Sequence, residues 1–434
     1  MAGECIALGW DAGDVLVLGA GIAGLLVARE LMIKGYQVTL VEGTALASGQ
    51  SAHSHGYLHR GYIYLDPTDK LVGPLQASAT YWEQLISDLG VQVETRESLI
   101  GLANDYQAEY ALGKWAMANL RGHRLSLPED SVDGTPISES LLASRCKRFV
   151  VSPEKVANFS KVTASLVVNQ LGACNLVHGV VTAIDVTKDR VNGVYITLAD
   201  GTPVRAIAGL YLFTTGVGTR ALVKAARGHA GPITLRQSYM LVLRHPDLPV
   251  ISAVFPGQAT YGLFIAPRRP VAVEPPVWLA SNFGSFAGLN HGHTTARFWL
   301  RQIARTLTEH TDVLDLTGLE WAYYPAPKAE VRGVTTLEQP RVVDCGWRNA
   351  AVAFPTKLTL APALVDQIIT WAGIHHHELR IRRPERHLGS ARPPVAAELW
   401  RSCNWYHRDV LLAIRDAHAA LRVPAWSGPE PTLC

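Results

Sequence analysis

Residues 19–24 read Gly19-Ala20-Gly21-Ile22-Ala23-Gly24, a GxGxxG spacing whose surroundings leave the chain little choice of fold. A short continuous apolar run, Val15-Leu16-Val17-Leu18, precedes it, as a strand buried on both faces requires. A helical pattern follows from Ile22 to Lys34 and stops at Gly35, a residue type favoured just past a helix end. A second strand is expected over Gln37 to Glu42. Strand, tight turn, helix and strand make a βαβ unit that binds a dinucleotide. Gly19 permits the turn, Gly21 lets a diphosphate approach the backbone, and Gly24 lets the helix pack against the strand. The helix start at Ile22 and Ala23 offers free N–H groups and a positive dipole end to phosphates. Glu42 is placed to accept hydrogen bonds from ribose hydroxyls, and its charge would repel a 2′-phosphate, so NADP is disfavoured.

The other bulk properties exclude more than they assign. With 434 residues, 48% hydrophobic and 18% charged, the chain can bury one large or two medium cores. A net charge of +3 is too small for the basic footprint of a nucleic-acid binder. Six scattered cysteines contain no CxxC pair, so neither a zinc cage nor a dithiol site is indicated, and no metal is expected. A cytoplasmic location is the default expectation for such a chain. The apolar run Val15 to Ala28 is preceded by Glu4, Asp11 and Asp14 where a signal peptide carries basic residues, and it is too short to span a bilayer.

Further along, a loop rich in Ser, Gly, His and Tyr runs from Gly43 to Pro67. A helix is predicted over Thr68 to Leu89, with Leu71, Leu75, Trp82, Leu85 and Leu89 on one face. Ser152-Pro153-Glu154 resembles a helix start leading to Leu171. Strands are expected over Leu176–Asp185, Val191–Leu198 and Leu210–Thr215, then a mostly β insertion over 233–320 with one helix near Phe298–His310. A strand at Ala350–Phe354 leads into a helix from about Ala361 to Trp371, and a helix from about Val395 to Leu421 closes the chain. His375-His376-His377 reads as a solvated helix end.

The fingerprint does not separate FAD from NAD; the rest of the chain does. Thr214-Thr215-Gly216 looks like the strand end that closes over FAD in flavoproteins with two dinucleotide folds, with Thr214 in place of the common Ala. Ser48-Gly49-Gln50-Ser51-Ala52-His53-Ser54-His55-Gly56 resembles the segment that passes the flavin in the D-amino-acid oxidase-like superfamily. His55-Gly56-Tyr57-Leu58-His59-Arg60-Gly61-Tyr62-Ile63-Tyr64 is similar to a stretch of its L-2-hydroxyglutarate dehydrogenases. Phe354-Pro355-Thr356-Lys357-Leu358-Thr359-Leu360-Ala361-Pro362 looks like the last flavin-contacting loop, with Lys357-Leu358-Thr359 in the setting of a carboxylate-binding lysine of sarcosine oxidase-like members.

The resemblance implies an α/β fold. A discontinuous FAD-binding, two-dinucleotide Rossmann-like domain is expected at 14–94, 150–225 and 340–373. An inserted, mostly antiparallel β substrate domain is expected at 95–149 and 226–339, and a helical tail at 374–434. It implies cofactor contacts at Gly19, Gly21, Ile22, Ala23, Gly24, Glu42, Ser48, His53, His55, Gly56, Val180, Thr215, Gly216, Lys357, Leu358 and Thr359. His53 falls where dimethylglycine dehydrogenase-like enzymes join a histidine covalently to the flavin; a histidine merely hydrogen-bonded in a polar loop is the alternative. Two departures matter. Trp321 to Lys328 lacks the arginine that many amino-acid oxidases carry before the last strand, and no Gly-Asp motif stands near Ala353, which argues against a monooxygenase.

The expected reaction is hydride removal from a C–N bond of an amine or amino-acid derivative, with O2 or another acceptor as partner. A 2-hydroxy acid dehydrogenase is the alternative, because an alcohol must lose its proton as hydride leaves and a histidine with pKa near ~6.5 suits that task. His59 is the candidate base and Lys357 the candidate substrate and flavin cation; Tyr62, Tyr64 and Tyr324 are expected to line the pocket, and Arg60 ranks below Lys357. A flavin-binding subunit without turnover is a third reading, and it predicts FAD that no small substrate bleaches.

Overall fold

The computed structural model describes residues 8–142, 146, 148–228, 233–236, 238–256, 262–269, 273–283, 296–331, 340–354, 357–375 and 391–416. The first sheet forms around the glycine turn. Val15–Leu18 lies between Val38–Glu42 and Leu210–Phe213, parallel to both, and Ala350–Phe354 extends the parallel set. Asn175–Thr187 pairs parallel to Val38–Glu42 through its first residues, then turns back as a hairpin with Arg190–Leu198. Leu8–Asp11 and Arg341–Asp344 close the two edges.

Both faces are covered, which is why these strands read as continuous apolar runs. Val15 and Val17 face the helices Ile22–Ile33, Phe159–Gln170 and Ala361–Ile374, while Leu16 and Leu18 face a second cluster that includes Ile196, Tyr211 and Trp347. The helix Asp69–Asp88 joins the first layer through Trp82, whose indole N–H donates to the Thr359 carbonyl at 3.1 Å.

A second, mostly antiparallel sheet runs Tyr406–His407, Glu320–Pro325, Tyr239–Arg244, Val277–Phe283, Gly262–Arg268, Ala253–Phe255, Ser98–Leu102, Arg148–Ser152 and Arg124–Ser126. Period-2 alternation divides its side chains. Leu241, Leu243 and Ile265 pack beneath the helix Ala296–His310, whereas Met240, Val242, Phe264, Leu279 and Tyr324 face Tyr57 and Val156 of the first unit. The flavin-type loop therefore enters between the two sheets.

Three expectations are corrected. Ser152-Pro153-Glu154 does not start a helix: Ser152 ends a strand, Lys155–Val156 pairs with Tyr57–Leu58, and the helix begins at Phe159. The Asn158 side chain caps it by accepting from the Ser160 and Lys161 amides, so Pro153 marks an extended approach rather than a first helical turn. In the tail, among the described residues of the expected span, α-helix covers only Arg408–Asp416. Val395 instead bridges in parallel to Leu46, and Leu399–Ser402 is one 3-10 turn, since Pro393 and Pro394 favour extended chain. Tyr62 and Tyr64, both expected to line the pocket, are set apart, because Gly61 (φ 121°) turns the chain and its carbonyl accepts from the Tyr64 amide.

Pro355, Thr356, His376, His377 and the tail at 376–390 and beyond 416 lie outside the described residues. Among the described residues no helix is long and apolar enough to cross a membrane, and no cluster of His, Cys, Asp and Glu could hold a metal ion.

Candidate functional site

The glycine turn has the form its sequence predicts. Gly19 sits at φ 97°, where a Cβ would come within 2.9 Å of the Thr214 carbonyl and the Thr215 backbone. A Cβ on Gly24 would lie 2.0 Å from the Gly19 carbonyl oxygen, so only glycine lets this helix approach its own turn. Thr214 strengthens the same contact. Its hydroxyl stands 2.9 Å from the Leu18 carbonyl and 2.7 Å from that of Gly19, a bond that the common alanine would lack.

Glu42 closes the turn from the neighbouring strand. One carboxylate oxygen accepts from the Ala20 amide at 2.8 Å, and the other accepts from the Thr44 amide and hydroxyl at 3.0 Å each. Ser48 is tied to Thr44, hydroxyl to hydroxyl, at 2.7 Å. Val180 is exposed where its strand passes Gly43, directly beyond Glu42. At the helix start, the Ile22 amide donates to the Ser51 hydroxyl at 2.9 Å. A polar oxygen thus already stands at the N–H group that would meet a diphosphate, and beside it a Cβ on Gly21 would meet only that hydroxyl, at 3.5 Å. Gly216 (φ 56°) brings the end of Leu210–Phe213 against Gln50 of the loop, with Thr215 next to it. These groups fit a dinucleotide laid across the carboxyl ends of the parallel strands.

The histidine segment carries the chemistry of the loop. The His53 ring donates through Nδ1 to the Gly49 carbonyl at 2.7 Å and meets Tyr324 edge-on at 6.0 Å. His55 stacks on Phe264 at 4.7 Å and accepts through Nδ1 from the Tyr57 amide. Burial, followed by the charges of Lys328 and Arg268, holds its pKa down to about 3. His59 is buried, its Nδ1 has no hydrogen-bond partner, and burial with the nearby Lys357 charge holds its pKa well below the ordinary value. Lys357 lies 5.7 Å from the Tyr64 ring centre, and Tyr64 meets His59 edge-on at 6.1 Å. Leu358 and Thr359 follow Lys357 in a 3-10 turn, and the Thr359 hydroxyl donates to the Tyr57 carbonyl at 3.3 Å. His59, Tyr64, Lys357 and Thr359 are therefore brought together, and Tyr324 joins His53.

Tyr62 is not brought there. It is fully buried, packs edge-on against Trp115 at 5.2 Å and donates to the Arg121 carbonyl at 2.6 Å, so it is core rather than pocket. Arg60 is engaged elsewhere, pairing with Glu83 at 2.7 Å.

Glu154, expected at a helix start, instead anchors the segment. Fully buried, it accepts from the amides of Arg60, Gly61 and Tyr62 through one oxygen and from the Tyr57 hydroxyl at 2.8 Å through the other. Burial raises its pKa, and these donors oppose the shift. The turn at Gly56 is equally confined: its φ is 75°, and a Cβ would sit 2.0 Å from the Ala157 carbonyl. The only sequence signal for Glu154 was an acidic residue after Pro153 at the end of an apolar strand.

The family model described as FAD dependent oxidoreductase (DAO) matches residues 14–374. The chain belongs to this family. Its relatives include the Probable FAD-dependent oxidoreductase PA4991 of Pseudomonas aeruginosa, 24% identical over 403 residues, covering 89% of this chain and 97% of the relative. The crystal structure of that protein aligns over 91% of this chain and 98% of its own at a TM-score of 0.67 and 19% identity. Glycine oxidase from Geobacillus kaustophilus aligns at a TM-score of 0.61 and 15% identity, over 87% of this chain and 99% of its own. Iminodiacetate oxidase from Chelativorans sp. BNC1 aligns at 0.60 and 15% identity, over 88% and 100%. Membership makes this chain an FAD-dependent oxidoreductase.

Proposed function

We propose that this oxidoreductase oxidises a C–N bond in a small amine or amino-acid derivative, with O2 or another acceptor as its second substrate. Bound FAD supplies the hydride acceptor. The chain's own residues position the substrate carbon, exclude water and set the charge around it. The observation that carries the reading is the placement of His59, which is buried with no hydrogen-bond partner at Nδ1 and so has no acceptor to support it as a base. His55 and His59 are both held neutral by burial and by neighbouring cations, and so are weak proton acceptors. An alcohol needs a base as its hydride leaves, whereas in a neutral amine the nitrogen lone pair assists loss of hydride from the adjacent carbon, giving an imine with little help from a base. Lys357, grouped with Tyr64 and His59, supplies positive charge for a substrate carboxylate or for negative charge on the reduced cofactor. Structural relatives whose names state glycine and iminodiacetate as substrates agree with this class.

An anaerobic screen of amines, amino acids and 2-hydroxy acids against the FAD-loaded protein tests it. Bleaching of the flavin absorbance by an amine or amino acid is expected. Bleaching by 2-hydroxy acids alone would replace this reading with the alcohol dehydrogenase.

A further inference from the structure

The tail residues 394–407 form a strap joining the two sheets. Val395 pairs with Leu46 at the head of the flavin-type loop, Trp400 is buried on the inner face of the second sheet, and Tyr406–His407 is its edge strand. Between these anchors, Glu398 enters a crevice bounded by Ser51, Ser54, Asn158, Arg268 and Tyr324.

Three features make that crevice an anion site. Arg268 is only 6% exposed, and its Nη atoms donate to the His55 carbonyl. Its Nε lies 3.3 Å from the Glu398 carboxylate but makes no aligned hydrogen bond, leaving one buried donor unsatisfied. Asn158 is 3% exposed, and its oxygen is committed to capping the helix Phe159–Gln170. The amide NH2 is thereby fixed toward the crevice, where it donates to Glu398 at 2.9 Å. The same capped helix directs its positive end into the crevice, with Ser160 on the wall. A guanidinium, a fixed amide donor and a helix start converge on one point, and a carboxylate of the chain itself stands there.

We propose that Arg268 and Asn158 form a binding site for a small carboxylate ligand, and that Glu398 fills it as an intramolecular stand-in until a ligand carboxylate displaces it. The imperfect bond to Arg268 Nε is what a free carboxylate, unconstrained by the strap, can improve. A tethered group competes at an effective concentration of roughly millimolar order, so the wild-type chain masks the site against weaker ligands. Lys357 does not line this crevice, and carboxylate binding there does not depend on whether the oxidised bond is C–N or C–O.

The test uses the FAD-loaded full chain, with acetate and glycine as probes and acetamide as the uncharged control, at constant ionic strength. Calorimetry is expected to find acetate or glycine binding Glu398→Ala about tenfold or more tighter than wild type, since the tethered competitor is gone. A second substitution, Arg268→Gln in the same background, is expected to remove the gain. A preference for glycine assigns an amino-acid ligand, and a preference for acetate a plain carboxylate. Should Glu398→Ala fold less well, added acetate is expected to raise its Tm but not that of the double variant. Equal binding by wild type and Glu398→Ala, with no rescue of Tm by acetate, overturns the proposal.

Discussion

Removing the Glu154 carboxylate should unfasten the segment that presents His59. In Glu154→Ala, the amides of Arg60, Gly61 and Tyr62 lose their acceptor in a fully buried place, and Tyr57 loses its hydroxyl partner. Each orphaned buried donor costs about 1–3 kcal/mol, and after allowance for local relaxation the loss should be about 3–5 kcal/mol. Glu154→Gln keeps an oxygen for the three amides and turns NH2 toward the Tyr57 and Ser152 hydroxyls, which can reorient to accept. Its cost should stay near ~1 kcal/mol. Burial raises the Glu154 pKa, so the folded chain holds this proton more tightly than the unfolded chain. The stability from that proton is fully present below the unfolded pKa and is lost as pH rises through the folded value. Glu154→Gln should flatten this dependence. Urea unfolding of the three proteins across acidic to neutral pH reads both effects. A Glu154→Ala chain within about 1 kcal/mol of wild type, or a Gln variant as unstable as the Ala variant, refutes the argument.

Other outcomes follow from single contacts. Gly24→Ala puts a methyl group against the Gly19 carbonyl oxygen, so it should lose FAD on gel filtration and fall in stability by about 1–3 kcal/mol; FAD retained at wild-type affinity contradicts the close packing. Tyr62→Phe removes a buried hydroxyl bond to the Arg121 carbonyl, which should cost about 1 kcal/mol in urea unfolding while kcat/KM stays unchanged; a large fall in kcat/KM would return Tyr62 to the pocket. Read as a histidine hydrogen-bonded in a polar loop, with Nδ1 on the Gly49 carbonyl, His53 should leave all flavin in the supernatant after acid precipitation; a yellow pellet would establish a covalent link.

The parts of the fold legible in the sequence are those fixed by near neighbours. The turn Gly19 to Gly24, the helix after it and the strand ending at Glu42 depend on residues a few positions apart, and their spacing carries the geometry. The helices Asp69–Asp88 and Ala296–His310 were legible for the same reason, through apolar stripes. Elsewhere tertiary contacts decided. Glu154 faces a segment more than ninety residues earlier, and no local pattern distinguishes a buried anchor from a helix-start acid. Tyr62 and Tyr64 look equivalent by alternation until Gly61 turns the chain. Arg268, Asn158 and Glu398 come from three distant segments, so their convergence has no sequence signature.

The most direct measurement is the pH dependence of kcat/KM for whichever amine bleaches the flavin, in wild type and in His59→Ala. With His55 held at about 3 and His59 well below its ordinary value, neither ring should change charge at its ordinary pH. The profile should then follow ionisation of the substrate amine alone, and His59→Ala should stay within about threefold of wild type. A step near ~6.5 that vanishes in His59→Ala, with a loss of roughly a hundredfold, would make that histidine the base and contradict the amine reading.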